Sequence, residues 1–196
     1  MIDRKFKNMK IAIISDIHDN VWNLGPALET ISDSEVLICC GDLCSPFIVD
    51  LMAGGFPNQI HIVFGNNDGD QYRITNNAAG YDGRVLIHGE FAELELGGKR
   101  FAVNHYPKIA RSFAESGDYD VVCYGHNHVY RVEDVDNTLL INPGAIMGYD
   151  GVKKEEIPST FIIYDAEGSE CKGYEVKFRD DISTKSRIVV DYDGRR

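Results

Sequence analysis

The stretch Lys10-Ile11-Ala12-Ile13-Ile14-Ser15-Asp16-Ile17-His18-Asp19-Asn20 decides how this chain folds. Its first part is a continuous apolar run bounded by polar residues, the pattern of a strand buried on both faces. The run stops at Asp16, and a helix is expected over 26–31 with Pro26 in its first turn. The same order then repeats. Val36-Leu37-Ile38-Cys39-Cys40 ends at Gly41-Asp42, and Ser45-Pro46 opens a helix as N-cap and first residue, running through Leu51 to Gly54-Gly55. Ile60-His61-Ile62-Val63-Phe64 ends at Gly65-Asn66-Asn67-Asp68. Three such units in succession imply parallel strands with right-handed crossovers.

Beyond them the pattern changes. Arg84 to His88 is short and extended, and Phe91–Leu96 and Arg100–Asn104 flank Gly97-Gly98 as a hairpin. A helix is expected over 109–115 and a buried strand over Asp120–Tyr124. Two further hairpins turn at Asp136-Asn137 and at 166–169. Antiparallel strands beside a parallel set predict an α/β fold, a four-layer α-β-β-α sandwich of two mixed sheets flanked by helices. No repeat or linker divides the chain, so residues 1–196 are expected to form a single domain with its core over 10–178. The tail 180–196 is polar except for Ile188-Val189-Val190, which either pairs as an edge strand or docks on a neighbour.

Hydrophobic content of 43% and charged content of 26% are ordinary for a soluble globular protein. No apolar run is long enough to cross a bilayer. The basic segment Met1–Asn8 leads straight into a strand pattern without a cleavable signal. Five cysteines with no C-x-x-C pair read as reduced thiols, so a cytoplasmic location is expected. A net charge of −11 disfavours nucleic-acid polymers as partners. Acidic residues gathered at one site would instead call for cations. Homo-oligomerisation is left open.

The strand ends carry the chemistry. The first gives Asp16 and His18, the second Asp42, the third Asn66, the hairpin His105, and Tyr124-Gly125-His126-Asn127-His128 adds His126 and His128. In extended backbone, residues two apart point to one side, and a glycine lets the chain turn at the strand's end. Ligands of open α/β sheets collect beyond the carboxyl ends of the strands. Taken singly, Asp42 reads equally as a helix cap, Asn66 as a turn residue and His105 as a buried, hydrogen-bonded histidine. Together, the seven donors point to a metal centre. His61 and His88 lie within or beside apolar runs without a partner at i±2 and are read as structural.

Asp16-x-His18, Gly41-Asp42, Gly65-Asn66-x-Asp68, His105 and Gly125-His126-x-His128 follow the order of the calcineurin-like metallophosphoesterase signature. With its compact length and Ile141-Asn142-Pro143-Gly144, the chain resembles the small prokaryotic phosphodiesterase branch over residues 10–178. The resemblance implies two divalent transition-metal ions, Mn²⁺ foremost, with Ni²⁺, Co²⁺, Fe²⁺ or Zn²⁺ also suited to the donor set. Asp16, His18 and His128 would hold one ion. Asn66, His105 and His126 would hold the other, with Asp42 and a water or hydroxide bridging them. The implied activity is hydrolysis of small phosphodiesters, nucleotide-like, cyclic or aryl, by attack of that hydroxide. Asp42, Asn66, Asp68 and His105 would serve catalysis, and Asn20, Asn67 and Tyr106 would contact substrate.

Some positions depart from the family pattern. Asn67 stands where many relatives have His; it donates a hydrogen bond but cannot act as a general acid, so esters with good leaving groups are expected to be preferred. Asp19 and Tyr106 stand where glycine is common. Asp19 is read as a helix N-cap or a repeller of highly charged substrates, and Tyr106 as a packing residue or a platform for a base. Asn142-Pro143-Gly144 is expected to shape a turn under the site. Two other readings are a scaffold protein of the same fold with a degraded metal site, and a phosphomonoesterase or phosphoprotein phosphatase. The complete donor set favours the enzyme over the scaffold. The short chain and Asn67 argue against the phosphoprotein phosphatase.

Overall fold

The computed structural model describes residues 9–178 and 186–194. The segment Met1–Asn8 and part of the tail therefore lie outside the described residues. Strand β1 (Lys10–Ile14) shows why its run is apolar throughout. Ile11 and Ile13 pack in one buried layer and Ala12 and Ile14 in another, all without exposed surface. Strand side chains alternate between faces, so a strand covered on both sides needs an apolar residue at every position. Each such branched side chain contributes roughly 2 kcal/mol relative to exposure.

Parallel pairing extends from β1 through β2 (Val36–Cys39), β3 (Gln59–Ile62) and β4 (Val85–Ile87), linked by helices α1 (Val21–Ile31), α2 (Phe47–Gly55) and α3 (Gln71–Ala79). The second sheet holds β5 (Phe91–Leu96), β6 (Lys99–Asn104), β7 (Val121–Cys123), β8 (Tyr130–Val135) and β9 (Thr138–Pro143), with α4 (Pro107–Ser116) between β6 and β7. Its order is β5-β6-β7-β9-β8. A small pair, β10 (Tyr149–Asp150) and β11 (Glu155–Glu156), follows. The chain then returns to the first sheet as β12 (Ser159–Asp165), β13 (Glu170–Phe178) and β14 (Arg187–Tyr192), giving the order β14-β13-β12-β1-β2-β3-β4. Ile188-Val189-Val190 thus lies in an edge strand, with Val189 opposite Val176.

Helices α1–α3 cover one sheet and α4 the other, with a third apolar layer between the sheets. This is the expected α-β-β-α sandwich. Among the described residues, no helix is long and apolar enough to cross a membrane.

Three helices differ from the sequence reading. α1 begins at Val21, five residues before the expected start, because Asn20 caps it by accepting from the Asn23 N–H at 3.2 Å. Pro26 is therefore inside the helix. Ser45 does not cap α2; its hydroxyl and N–H both go to the Asp19 carboxylate, at 2.7 and 3.0 Å. α3 buries only Ile74 and Ala78, too few apolar positions to leave a helical period in the sequence.

His61 and His88 stack at 5.2 Å, with His61 Nδ1 2.9 Å from His88 Nε2. Burial first, and then the neighbouring His88, push the His61 pKa down to about 4. Between pH 6.5 and 4 the unfolded chain therefore binds a proton at His61 that the folded one refuses, and stability falls with pH in that window. The loss is on the order of 2–3 kcal/mol. Urea midpoints of wild type and His61→Gln across this range provide the check. The variant should decline less steeply, and parallel declines would rule the mechanism out.

Candidate metal centre

The first sheet delivers Asp16 and His18 after β1, Asp42 after β2 and Asn66 after β3. The second delivers His105 after β6, and His126 and His128 after β7. Their convergence does not come from the strand pleat, as the spacing suggested. Asp16, His18, Asp42, His126 and His128 all lie beyond the strands, with positive φ between 44° and 75°. Left-handed backbone costs a non-glycine residue about 1–3 kcal/mol, so strain is concentrated where the donors gather. Cross-loop bonds hold it: Asp16 N–H donates to Gly41 O and His18 N–H to Asp42 O, both at 3.0 Å. Gly125 serves close approach rather than a turn. A Cβ there would lie 1.9 Å from Ser15 Oγ and 2.6 Å from Asp16 Oδ2.

All seven donors face one region, in two groups. His18 Nε2 is 3.2 Å from His128 Nε2, and Asp16 Oδ1 is 3.3 Å from His128 Nε2 and 3.7 Å from His18 Nε2. In the other group, Asn66 Oδ1 is 3.2 Å from His105 Nε2 and 2.8 Å from His126 Nδ1. Asp42 Oδ2 touches both groups, 3.3 Å from His105 Nε2 and 3.6 Å from His18 Nε2. Asp16, Asp42 and His105 are buried, while His18 and His128 are partly open.

The outer ring nitrogens fix the inner ones. His105 Nδ1 donates to Cys40 O at 2.8 Å and His128 Nδ1 to Tyr149 O at 3.2 Å. A carbonyl only accepts, so each ring keeps its proton outward and aims its Nε2 lone pair at the cluster. His18 Nδ1 lies 3.4 Å from Cys44 Sγ.

Burial alone would raise the Asp16 pKa, but hydrogen bonds from His128 and His18 outweigh it and hold the carboxyl well below the usual range. Burial disfavours charge on His105 and His128, yet Asp42 and Asp16 respectively raise both pKa values above the ordinary one. Buried carboxylates thus favour positive charge among the converging ring nitrogens, which imidazole protons or a bound cation supply. Carboxylate, imidazole and amide donors suit divalent transition metals, and the residues present fit such ions.

The remaining expected residues are placed differently. Asp68 does not face the cluster. Its buried carboxylate accepts the N–H groups of Asp42, Cys44 and Gly65 at 3.0, 2.8 and 2.7 Å, so it positions the Asp42 loop. Burial pushes its pKa up against those bonds. Asp42 is not a helix cap, since α2 begins after Pro46. Asp19 is tied to Ser45 and neither caps α1 nor stands free. Asn20 caps α1 and donates to Met147 O at 2.8 Å.

Asn67 is exposed and donates to Asp42 through its backbone N–H at 2.7 Å and its side-chain amide at 2.8 Å. The Tyr106 ring lies edge-on to His105 at 5.3 Å and tilted on His126 at 5.4 Å. Asn142, expected only to shape a turn, is buried and donates to Gly125 O and Asn127 Oδ1, bracing the His126–His128 loop.

The chain belongs to the calcineurin-like phosphoesterase superfamily, whose domain matches residues 9–169. The family is one of metal-dependent phosphoester hydrolases. The chain is 35% identical over 145 residues to phosphodiesterase MJ0936 of Methanocaldococcus jannaschii, covering 72% of this chain and 86% of that one. A solved archaeal phosphodiesterase superposes with a TM-score of 0.77 at 32% identity, over 85% of this chain and 99% of that one. Vacuolar protein sorting 29 of Cryptosporidium parvum superposes with a TM-score of 0.68 at 20% identity, over 95% and 98% of the two chains, a likeness of fold alone.

Proposed function

We propose that this protein is a metal-dependent phosphodiesterase that holds two divalent transition-metal ions, Mn²⁺ foremost, and hydrolyses small phosphodiesters. The observation that carries the reading is Asp42 Oδ2, one carboxylate oxygen within reach of both donor groups. In this reading Asp16, His18 and His128 hold one ion, Asn66, His105 and His126 the other, and Asp42 both. Two such ions supply a water of lowered pKa and a clamp on the phosphoryl oxygens.

The chain's own residues do the rest. Cys40 O and Tyr149 O keep His105 and His128 in the right tautomer. Asp68 and Asn142 hold the loops. Asn67 lies on the open side; with its backbone N–H and one side-chain N–H on Asp42, it keeps the second side-chain N–H for a phosphoryl or leaving oxygen but has no proton to give. The five cysteines are unpaired, which supports a reducing, cytoplasmic setting. A scaffold role would not require these donors to converge.

The test is a panel of bis-p-nitrophenyl phosphate, p-nitrophenyl phosphate and cyclic nucleotides, each with Mn²⁺, Ni²⁺ or Mg²⁺. Diester hydrolysis that a chelator abolishes and Mn²⁺ restores is expected. Metal-loaded protein that leaves every phosphoester untouched would refute the reading.

Asn67 makes a further prediction. Wild type should favour bis-aryl diesters strongly over alkyl monophosphates, whose poor leaving group needs a proton. Asn67→His should raise kcat on the alkyl ester by roughly 10²-fold, the lower range of general-acid catalysis, and change the aryl diester little. Equal effects on both esters would mean that Asn67 does not face the leaving group.

A further inference from the structure

The β10–β11 hairpin faces the cluster across a groove of about 380 Å³, with His18, Asp42 and Asn67 on one wall and Met147, Asp150 and Lys153 on the other. That volume suits a small-molecule site. The hairpin belongs to neither large sheet, and among the described residues its two strands pair only with each other. It is nonetheless fixed to the site, by His128 Nδ1 donating to Tyr149 O and by Asn20 donating to Met147 O. Asp150 orders its turn. The carboxylate accepts the N–H groups of Val152 and Lys153 at 2.9 and 3.0 Å, and its backbone oxygen accepts that of Lys154.

Charge in this groove is uneven. Among the described residues that line it, Lys153 alone carries a permanent positive charge, against Asp42 and Asp150. Lys153 Nζ lies 3.4 Å from Asp150 and 3.6 Å from Glu155, with its side chain 66% exposed. Ion pairs so exposed contribute little, so the ammonium is free to exchange them for an anion of a ligand. A lysine suits that task, being a mobile point charge on a long stem.

We infer that Lys153 is a specificity-determining residue that reads a second anionic group next to the scissile phosphate. The inference rests on the phosphodiesterase reading and deepens it to a substrate class: phosphodiesters that carry a further phosphate, such as 5′-phosphorylated dinucleotides. A plain diester brings a single negative charge, which the metal cluster meets. An added terminal phosphate meets the groove's carboxylates, and a cation on the hairpin offsets that repulsion.

The dinucleotides ApA and pApA separate these cases, because they share the same scissile bond and differ by one 5′-phosphate. With Mn²⁺, wild type should show kcat/KM about fivefold higher on pApA, carried in KM, and Lys153→Met should bring the ratio to about one or below, because the groove's carboxylates remain. Lys153→Glu should invert it. Urea midpoints of both variants should match wild type, since the side chain is exposed. Equal kcat/KM for the two dinucleotides in wild type, or a preference that survives Lys153→Met, would overturn the inference. So would hydrolysis of bis-p-nitrophenyl phosphate without hydrolysis of either dinucleotide. Failure on bis-p-nitrophenyl phosphate as well would remove the phosphodiesterase reading itself.

Discussion

Asp42→Asn should lower kcat/KM on bis-p-nitrophenyl phosphate by at least about 10³-fold, on the order of 4 kcal/mol of barrier, with an unfolding free energy within about 1 kcal/mol of wild type. The substitution keeps the volume of the side chain and removes its charge. Asp42 Oδ1 accepts the Asn67 N–H at 2.7 Å, a bond an asparagine oxygen preserves. Oδ2 is the atom that matters, standing 3.3 Å from His105 Nε2 and 3.6 Å from His18 Nε2. An amide N–H placed there presents a donor to the ring lone pairs, opposes the Asn67 side-chain N–H that Oδ2 accepts at 2.8 Å, and cannot bind a cation. Burial opposes ionisation of Asp42, but His105 and the Asn67 N–H prevail and hold its pKa below the usual range, so the carboxylate is charged at neutral pH. Kinetics, metal content and a urea titration on the same preparation decide the matter. A variant that keeps more than a tenth of wild-type activity with full metal content would show that Asp42 is not the shared ligand.

The sequence points to the seven side chains that the structure brings together because each follows a strand, and the parallel layout sends those strand ends to one edge. Singly they are ambiguous; their shared position at strand ends is the signal. Other features leave no local trace. Asp68 reads as part of the Asn66 loop, yet its carboxylate binds the backbone of Asp42 and Cys44, 26 and 24 residues away. Asp19 and Ser45 both resemble helix caps, the role such residues commonly fill, but they satisfy each other across two loops. Pro26 reads as a helix start because proline is tolerated there, whereas the true signal is the unassuming Asn20. The left-handed backbone at five of the donors leaves only a faint trace in residue types: aspartate and histidine tolerate it better than most side chains, but which of them adopts it is set by tertiary contacts. Hairpin β10–β11 has two-residue strands, too short for any alternation to register.

The glycines between these donors carry the second large expectation. Gly65 does not have positive φ; what it provides is room. A Cβ at this position would lie 2.2 Å from Asp42 Oδ1 and 2.8 Å from both Asp42 Cγ and Asp42 N. None of these can move cheaply, because Asp42 N–H is held by Asp68 at 3.0 Å and Oδ1 by Asn67 at 2.7 Å. Nor can Gly65 retreat, since its own N–H donates to Asp68 at 2.7 Å. Gly65→Ala must therefore displace the Asp42 carboxylate or break the Asp68 bonds that order the loop. Such overpacking typically costs about 1–3 kcal/mol, and the lost hydrogen bonds bring the expected destabilisation to roughly 2–4 kcal/mol. Metal affinity should fall about 10²-fold or more, because the moved atoms are a ligand and its supports. Gly69→Ala is the matched control: a Cβ there meets nothing within 4 Å, and its stability should stay within about 0.5 kcal/mol of wild type. Urea unfolding of both variants, with metal content measured after loading and desalting, reads the two effects separately. A Gly65→Ala protein as stable and as fully loaded as the Gly69→Ala control would mean that Asp42 is not clamped from both sides, and the rigidity argued for this centre would fail with it.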